Sequence, residues 1–170
     1  MGVGLEEWRA EPDNGRVRLD ADTCRSRFAD ARHAYLATAD DGGVPHLVPV
    51  TFALVVATTS PGPEAPSADE IVLAVDHKPK ASQDLRRLRN VAENPRVAFL
   101  VDRYDDDWAH LWWVRADGVA TVEHEGEPRA AALDALAARY PQYRERRPAG
   151  PLIRARVTRW SGWAHGAANA

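Results

Sequence analysis

Apolar residues recur along this chain with two periods, and the switches between them mark its elements. In LDADTCRSRFADAR, Cys24, Phe28 and Ala31 share one helical face behind Asp20 or Asp22 as a cap, and the helix is expected to end near Arg32. AYLATADDGGVPHLVPVTFALVVA then places β-forming residues on both sides of the turn residues 40–43, which predicts two strands. Pro45 and Pro49 cannot donate to a ladder, so the second of these strands is expected at an edge or with a bulge. DEIVLAVD, RVAFLVDRY, HLWWVRADGVATVEH and LIRARVTRWSGWA predict four more strands. Two helical patterns lie between them. One covers 79–93, with Ala81, Leu85, Leu88 and Ala92 as a stripe, and is stopped by Asn94-Pro95; the other covers 127–139, with Ala130, Leu133, Ala137 and Tyr140 on one face. Hairpin-linked strands with helices interposed predict an α+β domain built on an antiparallel sheet or barrel. Residues 1–18 are polar and expected to be mobile, and 19–170 are expected to form one domain.

Composition narrows the function classes. The 170 residues are 45% hydrophobic and 28% charged, as in an ordinary globular domain, and the formal net charge of −3 gives no global pull toward nucleic acid or an anionic membrane. A lone cysteine, Cys24, can form no intramolecular disulfide, and a cytoplasmic location is expected. The first fifteen residues hold no apolar signal core. VPVTFALVVA, the longest apolar stretch, is far short of the roughly 20 residues of a membrane-spanning helix. No phosphate-binding glycine loop, dinucleotide fingerprint or hydrolase nucleophile elbow occurs. The six histidines are scattered, without ligand spacing, so no metal site is expected. The run Asp105, Asp106, Asp107 is expected to be a solvated hairpin turn.

Two features remain. Trp112 and Trp113 are neighbours in a predicted strand and must face opposite sides. One can enter the core; the other needs a subunit interface, an aromatic ligand or simple partial burial. In DHKPKASQDL, Pro79 suits a first helical position, which leaves the backbone N–H groups of Lys80 and Ala81 as free donors beside the charges of Lys78 and Lys80. That is either a phosphate-binding helix start or two lysines on a surface loop.

The order of these stretches, and above all K-x-K-x-x-x-x-L-x-x-L-x-N-x-x-x-N-P-R-V from Lys78 to Val97, resembles the split-barrel family of pyridoxamine 5′-phosphate oxidase-like flavoproteins. More narrowly it resembles the actinobacterial branch that uses the deazaflavin coenzyme F-420. The resemblance spans about residues 28–164. It implies a six-stranded antiparallel split β-barrel and a homodimer that builds its cofactor sites between subunits. The ring system would lie along His46, Val48, Pro49, Val50 and Thr51, and the phosphate would be held by Asp76, Lys78 and Lys80. The resemblance implies hydride transfer from the reduced deazaflavin to a small organic acceptor, with no catalytic side chain, a proton from solvent or His46, and Trp112 or Trp113 walling the substrate side. The arginine motifs of the FMN enzymes have no match here. FMN-dependent oxidase or reductase chemistry is the alternative, and non-catalytic binding of the same cofactor a further one.

Overall fold

A computed structural model of the chain describes residues 16–57, 68–75 and 85–165. Among them, helix α1 (Ala21–Asp30) is capped by Asp20, whose carboxylate accepts from the Thr23 N–H at 2.7 Å. Its buried face is Cys24 and Phe28, as the periodicity predicts. The strands are β1 (Arg16–Arg18), β2 (Ala34–Ala39), β3 (Pro45–Val50), β4 (Ala53–Val55), β5 (Glu70–Ala74), β6 (Arg96–Arg103), β7 (Trp112–Glu123) and β8 (Leu152–His165). They pair antiparallel in the order β3-β2-β6-β7-β8-β5-β4, with β1 added to β8. The two ends of this path, β3 and β4, are separated in sequence only by Thr51 and Phe52. The sheet must therefore curl until its ends meet at that corner, which is how an antiparallel sheet becomes a barrel.

The fold class is the α+β architecture expected, with eight strands among the described residues in place of six. One additional strand is β1, within the stretch read as a polar terminus. The other arises because the proline-bearing strand breaks at Thr51-Phe52. Phe52 is fully buried. Its N–H donates to the Tyr140 hydroxyl at 3.1 Å rather than to a neighbouring strand, and that hydroxyl lies 3.0 Å from the carbonyl oxygens of Phe52 and Arg32. The Thr51 and Tyr143 hydroxyls are 2.8 Å apart. Arg139 lays its guanidinium 4.7 Å from the centre of the Phe52 ring and donates to the Ala29 and Ala31 carbonyls at the end of α1. Helix α3 (Glu127–Arg139) and the short α4 (Pro141–Glu145) thus hold the corner.

The barrel interior is filled by Phe28, Leu36, Phe52, Ile71, Phe99, Val114 and Ile153. A second core, with Val72, Leu133, Leu136 and Leu152, lies under α3. Helix α3 matches the predicted range, but Ala130 is exposed and the buried stripe runs through Ala132, Leu133, Leu136 and Ala137. Helix α2 (Arg86–Glu93) is preceded by Leu85 in an extended conformation, ψ 128°, so the described helix starts at Arg86. Residues 79–84 of the predicted helix lie outside the described residues. Its buried residues are Asn90 and Val91, with Leu88 against the core, while Ala92 is exposed. The Asn90 amide donates to the buried Thr38 hydroxyl at 3.0 Å, so a polar pair fixes α2 on the sheet. The Asp105–Asp107 run forms the β6–β7 turn, where Arg103 pairs with Asp105 at 2.8 Å and Asp107 caps the 3-10 turn Trp108–His110.

Candidate functional site

On a strand with one face in water, polar residues are expected at every second position. The outer face of β3-β2-β6-β7 departs from that rule. Leu47, Tyr35, Leu100 and Trp113 face outward beside the small Ala37 and Ala98 and line a cleft of about 500 Å³. A second cleft of about 660 Å³ shares Ala37 and Ala98 with it and runs on to Pro45, Asn94, Arg96 and the β7 bulge at Asp117/Gly118. Together they form one groove across the sheet. Leu47 is 64% exposed and Tyr104, at its far end, 80%. Apolar side chains left in water over such an area mark a surface that something else covers.

The register explains how β3 serves this groove. Pro45, Leu47 and Pro49 pair with Ala39, Ala37 and Tyr35 of β2 and share one parity. Proline has no N–H, so this parity suits the pairs that exchange no hydrogen bonds with β2. The Leu47 N–H then points to the side of β3 that no strand pairs among the described residues, flanked by two positions that cannot donate. An edge with a single donor resists pairing with another strand while keeping one hydrogen bond for a ligand.

The predicted ring residues divide between the two faces. Pro49 lies outward with Leu47. Val50 is buried and Val48 packs on the barrel core, so their side chains do not reach the groove. Thr51 turns to Tyr143 at the corner. His46 shares the inward parity, near α2. Burial lowers the pKa of its imidazole, and the charges of Arg86 and Arg87 lower it further. Trp112 and Trp113 do face opposite sides: Trp112 packs on the core, and Trp113 forms a wall of the groove. Asp76, Lys78 and Lys80 lie outside the described residues.

Sequence reasoning passed over Leu47, Tyr35 and Leu100, although counting by twos from Pro49 would have found Leu47. It also passed over Arg86 and Arg87 in DLRRLRN. Arg86 pairs with Asp40 in the β2–β3 turn at 3.5 Å, both arginines lower the His46 pKa, and Arg96 lines the groove near its Pro45 end. Arg115, on the groove wall, is paired with Asp117 at 3.0 Å. The groove therefore offers a flat apolar floor, one edge donor and Arg96 near one end. That set fits a planar ring with an anionic tail. Among the described residues no three His, Cys, Asp or Glu side chains come together as a metal ligand set, and no helix is long and apolar enough to cross a membrane.

An antiparallel sheet curled on itself, with an open apolar groove along its outer face, defines a split barrel. The chain belongs to the family described as pyridoxamine 5′-phosphate oxidase, whose model matches residues 21–164. A conserved hypothetical protein of Mycobacterium tuberculosis superposes with a TM-score of 0.65 at 21% identity, covering 92% of this chain and 91% of that one. A FAD-binding protein of Mesorhizobium loti gives 0.61 at 19%, over 87% and 96%. The heme storage protein of Vibrio cholerae gives 0.58 at 16%, over 85% and 93%. At these identities the likeness is one of fold. Comparison with curated proteins finds no match.

Proposed function

We propose that this chain is a cytoplasmic oxidoreductase that binds coenzyme F-420 in the outer groove of a homodimer and passes hydride to a small organic acceptor, with FMN as the alternative cofactor. The apolar outer face carries the proposal: Leu47, Tyr35, Leu100 and Trp113 stand where water alone would select polar side chains. One barrel leaves that face open. A second copy laid over it would bury the apolar positions and give a ring two walls.

The bound deazaflavin would supply the hydride chemistry. The chain's own residues would position it. Leu47 and Pro49 would form the floor, the Leu47 N–H would bond an acceptor on the ring edge, and Trp113 would exclude water. By family pattern Asp76, Lys78 and Lys80 would hold the phosphate. His46, held below its ordinary range, is neutral at neutral pH and a weak proton donor, which favours solvent as the proton source. The preference for F-420 rests on the resemblance of Lys78 to Val97 to the deazaflavin branch. A FAD-binding protein among the structural neighbours supports a flavin-type cofactor.

A second reading, a non-catalytic carrier or sensor of the same cofactor, is favoured by one observation. The heme storage protein of Vibrio cholerae shares this fold, which supports binding without turnover as the alternative. Titration of the purified chain with F-420 and with FMN, followed by absorption, tests the cofactor. F-420 is expected to bind more tightly. FMN that co-purifies stoichiometrically and resists displacement by F-420 overturns that choice. Turnover of a hydride acceptor by the loaded protein then separates the enzyme from the carrier.

A further inference from the structure

We propose that the cleft between the end of α1 and the sheet is a second ligand site, for a small monoanionic carboxylate with a flat apolar body. The cleft has a volume of about 360 Å³ and is distinct from the outer groove, which it meets at Tyr35 and Asp102. Its floor is apolar: Ala31, Val101 and the indole of Trp112. Arg27 lies over that indole, its guanidinium carbon 5.1 Å from the ring centre.

The state of Arg27 carries the inference. It sits in the last turn of α1, where a cation would ordinarily bond the final helical carbonyls. Arg139 has taken that role, donating to the Ala29 and Ala31 carbonyls from another element. Among the described residues the Arg27 side chain makes no hydrogen bond or ion pair, and its contact is the face of Trp112. A guanidinium lying over a ring can hold its N–H fork parallel to the ring plane, open to a carboxylate that meets it edge-on. The flat body of the same ligand can continue the stack on Trp112 and Val101.

Five other ionisable side chains line the cleft: Asp30, Arg32, His33, Tyr35 and Asp102. All are exposed, where water and salt screen them, whereas Arg27 is half-buried. The half-buried and uncompensated charge sets the preferred sign of the ligand. The two acids at the rim act against a second negative charge, so a monoanion fits better than phosphate.

The test is calorimetric titration of the full chain, free of added flavin or deazaflavin, with benzoate, with its neutral isostere benzamide and with inorganic phosphate. Benzoate is expected to bind at one per chain, roughly tenfold more tightly than benzamide, and phosphate is expected to show no saturable binding. Arg27→Met should weaken benzoate roughly tenfold and leave benzamide unchanged, with thermal unfolding close to wild type. Arg27→Lys keeps the charge without the fork and should give an intermediate loss, which preserves the test if the methionine variant folds poorly. Arg156→Met, an exposed arginine outside the cleft, should change nothing. Equal binding of benzoate and benzamide, an unaltered Arg27→Met, or no saturable benzoate binding overturns the proposal. None of these results depends on the cofactor, so the oxidoreductase reading stands or falls separately.

Discussion

Asp69 shows how much one side chain can fix. It is buried just before β5, and its carboxylate accepts from Arg25 Nε at 2.7 Å, Trp160 Nε1 at 2.8 Å and the Ala57 N–H at 3.0 Å. It thereby ties α1, β8 and the end of the β4 segment together. Burial alone would raise its pKa; the bonds from Arg25, Trp160 and Ala57 outweigh that, and the net shift is downward. A carboxyl held below its unfolded value adds stability that is fully present above that value, about 3.9, and is lost as pH falls through the folded pKa. Asp69→Asn should therefore cost about 2 kcal/mol at pH 7 in urea unfolding. The gap between variant and wild type should close below about pH 4. A gap that is constant from pH 7 to pH 3 would show that the charge of Asp69 is not what stabilises. Sequence alone gave no hint of this node, because its partners come from positions 25, 57 and 160 and no local pattern links them.

At the scale of elements, the break between β3 and β4 decides the shape of the barrel. Tyr140→Phe removes the hydroxyl that accepts from the buried Phe52 N–H and leaves that donor unpaired, at a cost of about 1–3 kcal/mol. A loss smaller than that of an exposed Tyr104→Phe control would contradict this role for Tyr140. The packing of α1 on β8 makes a second prediction. A Cβ at Gly162 would lie 2.8 Å from Cys24 Sγ and 3.0 Å from Leu19 Cδ1, so Gly162→Ala should destabilise by about 1–3 kcal/mol through overpacking. An unchanged melting temperature would show that α1 is free to shift. The helix in DHKPKASQDLRRLRN is the element least legible from sequence. The pattern of leucines predicts one helix from 79, while Leu85 is extended and the described helix starts at Arg86. By family pattern Lys80→Ala should still weaken cofactor binding by roughly ten- to a hundredfold, and Arg89→Ala much less. Removing the cofactor's phosphate should add nothing further to the Lys80→Ala loss. Full additivity of the two losses would remove Lys80 from the phosphate site.

At the scale of the whole molecule, period-two and period-3.6 patterns were enough to place the main strands and three helices, because those patterns record which face is buried. They could not show that Tyr35, Leu47, Leu100 and Trp113 meet on one outer face. That depends on the order β3-β2-β6-β7, which joins residues some 65 positions apart. Nor could they show that Val48 and Val50 turn away from the groove, since a ring laid along a strand meets only alternate side chains. The account of the molecule rests on that groove being the cofactor surface of a homodimer. Light scattering should give about twice the chain mass of 18.7 kDa, and a monomer at micromolar concentration would remove the second wall. The most direct measurement is the affinity of Leu47→Asp for F-420, followed by quenching of cofactor fluorescence beside the wild type. Leu47 is largely exposed in the single barrel, so the charge should alter folding by no more than about 0.5 kcal/mol. The account predicts an affinity at least roughly tenfold weaker with the melting temperature unchanged. An affinity equal to the wild type would place the cofactor elsewhere and contradict the assignment of the groove.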